Sequence, residues 1–484
     1  MIAKYRNFSL AMLAGMCLVF TAGCGETFRN FITPIPKQTG DPAGLSHAVV
    51  TSVNPVGNGS DLHINVSGDS IAGLVPLGLN PLFFGDRQGR AFVLNSDNTI
   101  SIYIGLLPLT TTVSIATQPG TATGQIAAGA NGSGNLYVVN RTSNNVSFIP
   151  STSNTVAQLI NVGTEPVMAV GGPASSKVYV VNHGSNDVTV ISSIDNTVLK
   201  TIPVGSQPIW AIMSTDGEGV FVVNQGDGTL SFIDTTLDQE ICGTTAFVTC
   251  NSGTRIQLGS SPNFAFYDSP RRRIYVTNTG SNNISLINAD GINFGPPSPV
   301  LPTKIANIPV SGSPLSLAPL QDGSRVYVAL ANCTDPGTNH TNLISGSPAH
   351  LPNCKGNMVS VVDVVGLRET KTIPVGPGAV SIDAAADSSR VYVVSALDTT
   401  VIQDNVNTVP KPAKTIFTPS VTVIRTSSDT VLRYTNDPSV TSLVPSFLAP
   451  SQDPNCSAFT DVTFNRTVPI PCAGQTAFSV HVIP

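Results

Sequence analysis

Two histidines and an aspartate share one segment between two cysteines, and their types suit metal or acid–base chemistry. Asp335, His340 and His350 fall between Cys333 and Cys354. Imidazole and carboxylate groups held in one loop could bind a metal ion or exchange protons. Their spacing matches no metal-site template. We therefore favour a surface loop with solvated histidines over a metal or acid–base cluster, and we predict no metal ligands.

A second candidate set is an asparagine that recurs at the end of a strand-like block. Its five members are Asn95, Asn140, Asn182, Asn224 and Asn278. A ring of amides could bind a polar ligand or a carbohydrate. An asparagine before a Gly-Ser or Ser-Asn turn also hydrogen-bonds its own backbone and shapes the loop, and we favour this role because it alone explains the recurrence.

Two single residues complete the candidates. His183 follows the third of these asparagines, and a lone loop histidine is more often solvated than catalytic. Trp210 is the one tryptophan of the chain. Core packing is the default for such a residue, and lining of a channel is the alternative. The sequence contains no G-x-S-x-G elbow, Walker loop, H-E-x-x-H pair or C-x-x-C-H haem site, so we predict no catalytic residues and no cofactor.

The N-terminus predicts export to a bacterial cell envelope. Lys4 and Arg6 precede an apolar stretch that is too short to span a bilayer comfortably. The segment ends Thr21-Ala22-Gly23-Cys24, which resembles a bacterial lipobox, although Thr21 replaces the usual leucine. We predict a signal peptide at 1–23, a lipid anchor on Cys24 that binds the membrane, and a tether at 25–45, with an ordinary signal peptide as the alternative. The protein would be periplasmic or surface-exposed.

Cysteine usage and charge agree with this compartment. Besides Cys24, the mature chain has three pairs of cysteines that are close in sequence: Cys242 with Cys250, Cys333 with Cys354, and Cys456 with Cys472. In an exported protein these pairs predict local disulfides. Removal of residues 1–23 leaves 22 basic and 29 acidic groups. We expect no nucleic-acid partner, because phosphate binding needs a clustered positive field.

An internal repeat predicts the fold. The blocks AFVLN, LYVVN, VYVVN, VFVVN, IYVTN, VYVAL and VYVVS begin at residues 91, 136, 178, 220, 274, 326 and 391. The basic period is 42 residues, as between Tyr137 and Tyr179, which is typical of a four-stranded propeller blade. With 11% charged residues against a usual share of about 25%, the composition also favours short strands and tight loops. We predict an all-β, seven-bladed β-propeller of four-stranded antiparallel blades.

The strands can be ordered within one unit. VYVVN is strand b, GSNDVTVIS at 184–192 contains strand c, NTVLKTIPVG at 196–205 contains strand d, and QPIWAIMSTDGE at 207–218 contains strand a of the next unit. Strand d carries Pro203, which removes a ladder donor and therefore belongs at an edge. Strand d should then be the outer strand, and strand a should border the central channel.

The wording YVTNTGSNNISLIN at 275–288, with TIPVGSQP at 201–208, resembles the YVTN repeat β-propellers, over roughly residues 60–435. The resemblance implies an exported or surface-associated propeller, an architecture shared by lactonases, lyases and binding modules. Ring closure stays open: residues 62–81 match the c, d and a pattern, but 421–434 also offer strands c and d for the last blade. We predict a propeller at 46–439 and a short C-terminal β extension at 440–484.

The insertions can be assigned to faces, because b–c and d–a turns share one face of a propeller and a–b and c–d turns share the other. The Cys242–Cys250 loop and residues 289–303 lie between strands c and d. The largest insertions, 331–357 and 395–420, lie between strands b and c of blades 6 and 7. Long loops on a rigid scaffold often carry function. We predict a binding or scaffold module that holds a protein, peptide or glycan there. The alternative is a lactonase-like or lyase-like enzyme at the channel mouth, with a divalent cation.

Overall fold

The computed structural model describes most of the repeat region and the last strand of the chain. The described residues are 47–53, 58–65, 70–79, 81–87, 90–95, 97, 99–104, 107–114, 123–128, 134–153, 155–172, 176–242, 250–292, 300–331, 358–375, 379–395, 399–402, 414–417, 420–431, 459–461, 466–468 and 476–483. Within them, no helix combines the length and the apolar character needed to cross a bilayer.

The described strands form eight four-stranded antiparallel sheets, one of which has an additional short strand. The first three strands are β1 (His47–Val53), β2 (Asn58–Asn65) and β3 (Ser70–Leu79). Blade 1 contains β4 (Pro81–Arg87), β5 (Arg90–Asn95), β6 (Thr99–Ile104) and β7 (Leu107–Ser114). Blade 2 contains β8 (Thr123–Ala128), β9 (Leu136–Asn140), β10 (Asn145–Ile149) and β11 (Gln158–Asn161). Blade 3 contains β12 (Pro166–Gly171), β13 (Lys177–Asn182), β14 (Asp187–Ser192) and β15 (Val198–Pro203).

The remaining repeats follow the same order. Blade 4 contains β16 (Pro208–Met213), β17 (Gly219–Asn224), β18 (Thr229–Asp234), β19 (Gln239–Glu240) and β20 (Ile256–Gln257). Blade 5 contains β21 (Pro262–Asp268), β22 (Arg273–Asn278), β23 (Asn283–Asn288) and β24 (Thr303–Pro309), with a 3-10 turn at Ser269–Arg271. Blade 6 contains β25 (Ser313–Pro319), β26 (Arg325–Ala331), β27 (Met358–Asp363) and β28 (Arg368–Pro374).

Blade 7 contains β29 (Ala379–Ala384), β30 (Arg390–Ser395), β33 (Ser420–Arg425) and β34 (Thr430–Val431). The hairpin of β31 (Thr399–Ile402) and β32 (Lys414–Phe417) lies between its second and third strands. A separate hairpin joins β35 (Phe459–Asp461) and β36 (Arg466–Val468), and β37 (Thr476–Ile483) is the last strand. The predicted all-β propeller with four-stranded antiparallel blades is therefore confirmed.

The predicted blade count of seven is wrong, because the ring has an eighth blade. In blade 8, β37 pairs with β1, β1 with β2, and β2 with β3. The two segments that both matched the last blade belong to different blades. Residues 62–81 contribute strands c and d of blade 8 and the start of strand a of blade 1. Residues 421–431 contribute strands c and d of blade 7. The inner strand of blade 8 comes from the far end of the chain, so both termini of the ring close it.

Proline positions follow the edges of the blades, as predicted. Pro203, Pro309 and Pro374 end the outer strands β15, β24 and β28. The inner strands of blades 3, 4 and 5 also begin with proline, at Pro166, Pro208 and Pro262. Each of these residues lies at the end of an edge strand, where a missing N–H donor does not interrupt the ladder.

The aromatic residue of the repeated block joins neighbouring blades on the face of the c–d turns. The hydroxyl of Tyr137 donates to Asn196 Oδ1 at 2.7 Å, and that of Tyr179 donates to Asp238 Oδ1 at 2.8 Å. Tyr327 donates to Asp429 in the same way. All three acceptors have left-handed backbone, which Asn and Asp tolerate better than most residues. Each tyrosine therefore contacts the c–d turn of the next blade.

The insertion of blade 4 interrupts the outer strand rather than the c–d turn. Cys242 and Cys250 form the predicted disulfide, between β19 and β20, which both pair with β18. Arg255 closes the base of this segment through two hydrogen bonds to the Glu240 carboxylate, at 2.7 and 2.9 Å. The disulfide and the ion pair thus hold the two halves of the outer strand in one sheet.

Candidate functional site

In blades 3 to 5 the b–c turn is hydrogen-bonded to the d–a turn that precedes the inner strand of the same blade. The backbone N–H of His183, on the b–c turn of blade 3, donates to Glu165 O of the preceding d–a turn at 3.0 Å. Gln225 donates to Gln207 O and Thr279 to Ser261 O in the next two blades. Because the acceptors immediately precede the inner strands, these turns border the channel, and we call the surface that they form the turn face.

One charged group on the turn face joins blades 2 and 3. Glu165 Oε2 lies 3.3 Å from Arg141 Nη2 and 3.4 Å from His183 Nδ1. The His183 side chain is only 15% exposed, so it is not the solvated histidine that we expected. Burial, assisted by the Arg141 charge, lowers the pKa of His183, whereas Glu165 opposes that shift. The imidazole is therefore held neutral near neutral pH, beside one carboxylate.

The five recurring asparagines lie inside the junctions between blades, not on an open surface. All five are buried, and each amide nitrogen donates to side chains of strand c. The acceptors are Thr99 and Ser101 for Asn95, Asn145 and Ser147 for Asn140, Asp187 and Thr189 for Asn182, Thr229 and Ser231 for Asn224, and Asn283 and Ser285 for Asn278. The bonds go to side chains of the neighbouring strand rather than to the asparagine's own turn. Ligand binding by this ring stays a prediction, and our proposal does not use it.

A glycine of the preceding blade makes room for each of four asparagines. A Cβ atom added to Gly205 would lie 2.4 Å from Asn224 Cγ and Nδ2. The same close approach occurs between Gly78 and Asn95, Gly163 and Asn182, and Gly259 and Asn278. We call this arrangement the asparagine–glycine contact. It joins the end of an outer strand to strand b of the next blade, where only glycine fits.

The asparagine–glycine contact is lost in blade 6, and a polar group is left behind. Leu330 replaces the asparagine, and Ser311 replaces the glycine of the preceding blade. Ser360 occupies the strand c position of Thr189 in blade 3, since it pairs with Val328 as Thr189 pairs with Val180. Its hydroxyl is buried and has no hydrogen-bond partner among the described residues. Blade 7 has the buried Ser395 at the asparagine position.

A repeated β-bulge directs side chains of the inner strands toward the channel. In blades 1 and 3 to 7 the pairing between the inner strand and strand b shifts by one residue near the start of the inner strand. The half-exposed residues just after the bulge are Phe83, Met168, Trp210, Phe264, Ser316 and Ser381. Inner strands of neighbouring blades contact each other around the ring, so side chains exposed at mid-strand line the channel.

The channel wall has an apolar part and a polar part. In blades 3 to 5 its half-exposed residues are Met168, Val170, Trp210, Ile212 and Phe264, and Phe266 is 37% exposed. In blades 6 and 7 the corresponding residues are Ser316, Ser381 and Asp383. We call these sets the apolar wall and the polar wall. The change between them falls where the long b–c insertions begin.

Trp210 packs partly against the core and partly lines the channel, so both sequence alternatives apply. Its Nε1 donates to Ala265 O of the neighbouring inner strand at 3.0 Å. Its ring lies 4.9 Å from that of Phe264, with 51° between the planes. The hydrogen bond fixes the indole and occupies its donor, so the exposed part of Trp210 offers a ring face.

The residues of blades 6 and 7 predicted to carry function lie mostly outside the described residues. The insertions leave from the ends of β26 and β30 and return at β27 and β33, which confirms their position between strands b and c. Outside the described residues lie Cys24, Asp335, His340, His350, Cys333, Cys354, Cys456 and Cys472. Among the residues that are described, no three histidine, cysteine or acidic side chains come together in a way that could hold a metal ion.

Sequence reasoning missed the channel wall apart from Trp210. The signal was present, because each of these residues follows by two positions a proline that is the first or second residue of its strand: Phe83, Met168, Trp210, Phe264 and Ser316. In a regular strand, buried and exposed residues alternate, and this alternation shows which side chains share a face. The bulge between that proline and the wall residue interrupts the alternation. Alignment of the repeats on this proline would have grouped these residues.

Comparison with known proteins supports the fold. No protein-family model matches the chain, and no curated protein matches it. The solved structure "Dihydro-heme d1 dehydrogenase NirN in complex with DHE" is similar to it with a TM-score of 0.56 and 12% identity, covering 83% of this chain and 75% of that chain. Hydrazine synthase of Kuenenia stuttgartiensis (TM-score 0.44, 18% identity, 65% and 92% coverage) and the Cps50 (Swd1) β-propeller domain of Myceliophteria thermophila (TM-score 0.46, 9% identity, 65% and 92% coverage) also match. The resemblance to YVTN repeat proteins stays a prediction, and the chain is a β-propeller.

Proposed function

We propose that this protein is a binding or scaffold propeller that receives its ligand at the turn face. The observation that carries the proposal is the channel wall, where large apolar side chains, among them Trp210, Phe264 and Phe266, are left half-exposed. Contiguous exposed apolar surface marks an interaction site more often than a structural need. The ligand would be a protein, a peptide or a glycan, held also by the loops of blades 6 and 7.

The proposal includes a place in the cell. The chain would be exported and held at a bacterial envelope membrane by a lipid on Cys24, in the periplasm or at the surface. Labelled palmitate should enter the wild-type protein and not a Cys24→Ala variant. Equal labelling of both proteins would remove the lipid anchor from the proposal.

Site-specific crosslinking tests the turn face. A photoreactive amino acid at Gln225, on the b–c turn of blade 4, should capture the ligand in envelope extracts, and mass spectrometry should identify one species. The same group at Thr236, an exposed residue of the c–d turn in the same blade, is the matched control. Deletion of residues 332–357 should reduce capture at Gln225. Equal capture at both positions would contradict the proposal.

The enzyme alternative has weaker support. At the mouth the described residues bring together one histidine and one carboxylate, His183 and Glu165, with Arg141 beside them. A lactonase-like or lyase-like site with a divalent cation would need further acidic ligands. No observation on the described residues favours that alternative over binding.

A further inference from the structure

Exposed apolar side chains mark one face of the ring, and we propose that this face docks on the surface of a lipid bilayer. The face is formed by the c–d and a–b turns, and we call it the c–d face. The proposal rests on the proposed function, in particular on the lipid anchor at Cys24, and adds the orientation of the ring on its membrane. Two features carry it: the apolar residues of the c–d connections, and the end of blade 8 at which the chain enters the ring.

The connections between strands c and d expose a large apolar side chain in each of four consecutive blades, 3 to 6. The exposed fractions are 78% for Ile194, 55% for Leu237, 47% for Val300 and 82% for Val365. Such a turn folds without an apolar residue, because blade 7 has the exposed Ser427 at the position of Val365. One exposed apolar side chain needs no explanation, but a row of four on equivalent connections indicates a contact surface. We call this row the apolar arc.

Hydrogen bonds between blades hold the c–d turns at equivalent positions of the ring. Lys177 Nζ and the Tyr179 hydroxyl of blade 3 donate to Asp238 in the turn of blade 4, at 2.7 and 2.8 Å. The same arrangement joins blade 6 to the turn of blade 7, where Tyr327 donates to Asp429. Because each turn is fixed against the preceding blade, the exposed side chains of the apolar arc are presented on one side of the ring.

The turn face differs from the c–d face in polarity. Among the described residues, Leu79 is the one large apolar side chain exposed on the turn face, at 37%. The turns there consist largely of polar residues and glycine, such as HGSN at 183–186 and GSQ at 205–207. An apolar surface on one face and a polar surface on the other suit a ring with one side toward a membrane and one side toward water.

The chain enters the ring on the c–d face. β1 begins at His47, which pairs with Asn65, the last residue of β2 before the c–d turn of blade 8. Cys24 precedes His47 by 23 residues, which span at most about 80 Å when fully extended. A lipid on Cys24 would therefore pull on the face that carries the apolar arc. Blade 8 lies opposite blade 4 in a ring of eight, so the anchor and the arc would attach opposite sides of this face.

A fluid bilayer suits the apolar arc better than a folded partner does. The four side chains are aliphatic and stand on separate turns, so each would enter the interfacial region singly. Protein interfaces instead pack a continuous patch of about 800 Å² per partner and are enriched in aromatic residues. Exposed charges of both signs lie on the same face: Arg272, Arg368, Asp195 and Asp290. Apolar insertion rather than net charge would therefore supply most of the attraction.

Lipid crosslinking in native membranes tests the proposal. A photoreactive amino acid is placed at Val365 or at Gln225 of the full-length protein, in bacteria grown with radioactive phosphate, and isolated envelope membranes are irradiated. The protein with the probe at Val365 should gain phospholipid label. It should gain at least about tenfold more than the protein with the probe at Gln225, which lies on the turn face.

Two sets of substitutions show whether the apolar arc sets the orientation. Ile194→Ser with Leu237→Ser removes two apolar contacts and should lower the phospholipid label at Val365 about threefold. Both residues are exposed, so the fold should be kept. Leu79→Ser, at an exposed leucine of the turn face, is the matched control and should leave the label unchanged. Far-ultraviolet circular dichroism of the variants checks the fold.

The outcomes separate this inference from the proposed function. Protein adducts in place of phospholipid at Val365, or equal phospholipid label at Val365 and Gln225, would overturn membrane docking. If palmitate labels Cys24 while Val365 gains no phospholipid, the anchor stands and the docking face fails. If Val365 gains phospholipid while palmitate does not label the protein, the docking face stands without the lipid anchor. If neither label enters the protein, both proposals fail.

Discussion

Blades 2 to 5 and blades 6 to 8 differ in the residues that pack at the end of strand b, where neighbouring blades meet. In the first set, which we call the regular arc, each buried asparagine bonds to side chains of the adjacent strand, and a glycine leaves space for it wherever the preceding blade is described at that point. In the second set, the irregular arc, Leu330 in blade 6 and Ser395 in blade 7 stand at the asparagine position, and Ser311 replaces the glycine that precedes blade 6. Blade 8 contains the buried carboxylate of Asp61, whose pKa is raised by burial.

The difference indicates that the two arcs of the ring have different roles. The asparagine–glycine contact links blades 2, 3, 4 and 5 in turn, and it is missing between blades 5 and 6. The irregular arc also carries the long insertions and the polar wall. We interpret the regular arc as a rigid frame that also presents the apolar wall, and the irregular arc as the part specialised by its long loops and polar wall.

The largest expected effect on stability comes from disrupting the asparagine–glycine contact. Gly205→Ala places a Cβ atom 2.4 Å from Asn224, which is buried and cannot move away freely. We expect the free energy of unfolding to fall by about 3 kcal/mol, measured by urea denaturation. The matched control is Ser311→Ala, at the equivalent position between blades 5 and 6, where the loss of one exposed hydrogen bond to Glu369 should cost less than about 1 kcal/mol. Similar losses in both variants would remove the distinction between the arcs.

Blade 8 closes the ring with a buried carboxylate, which makes its stability depend on pH. Asp61 accepts a hydrogen bond from Tyr103 of blade 1 at 2.6 Å, Thr51 and His63 are its polar neighbours in blade 8, and burial raises the pKa of Asp61 to about 6. Because the folded state favours the protonated acid, this residue costs no stability below pH 3.8. The cost grows as the pH rises from 3.8 to about 6 and is complete above it.

The variant Asp61→Asn removes this titration and keeps an acceptor for Tyr103. Relative to wild type, we expect it to gain about 2 kcal/mol at pH 7.5 and little at pH 4. Thermal unfolding of both proteins across this range measures the difference. A constant difference between the two proteins at all pH values would contradict the assignment.

A double-mutant cycle tests whether the asparagine–glycine contact can be introduced between blades 5 and 6. Leu330→Asn alone should destabilise, because it places an amide in an apolar cluster beside Ser311. Adding Ser311→Gly should recover about 1 to 2 kcal/mol, because the amide can then donate to Ser360 without a clash. Chemical denaturation of the four proteins gives the coupling energy. Strict additivity would show that the two positions do not act together.

The smallest effect concerns the c–d turn of blade 6. Leu367 has φ of 52°, where the equivalent turns have Asn196, Asp238 and Asp429. Burial raises the pKa of Tyr275, the counterpart of Tyr179, to about 12. Leu367→Asn should stabilise the protein by about 1 kcal/mol, through easier left-handed backbone and an acceptor for Tyr275. Asp238→Leu in blade 4 should have the opposite sign, and equal signs would refute the comparison.

The sequence predicted the strands and their order better than the ring size or the site. Proline at the strand ends located the outer edges, and the repeated block located strand b. The eighth blade was missed because β1 to β3 lack that block and their inner partner, β37, lies some 400 residues away in the chain, so no local pattern joins them. The burial of Asn182 and its equivalents depends on a glycine of the preceding blade. Because this contact joins two repeats, the sequence of a single repeat does not reveal it.

Hydrogen exchange read by mass spectrometry tests the central claim most directly, because it measures the opening of each strand within one protein. We predict that the central strands of the regular arc, β13, β14, β17, β18, β22 and β23, are protected at least about tenfold more than β26, β27, β30 and β33. Deletion of 332–357 should leave the protection of the regular arc unchanged. Equal protection in both arcs, or stronger protection in blades 6 and 7, would contradict the division into a rigid frame and a specialised arc.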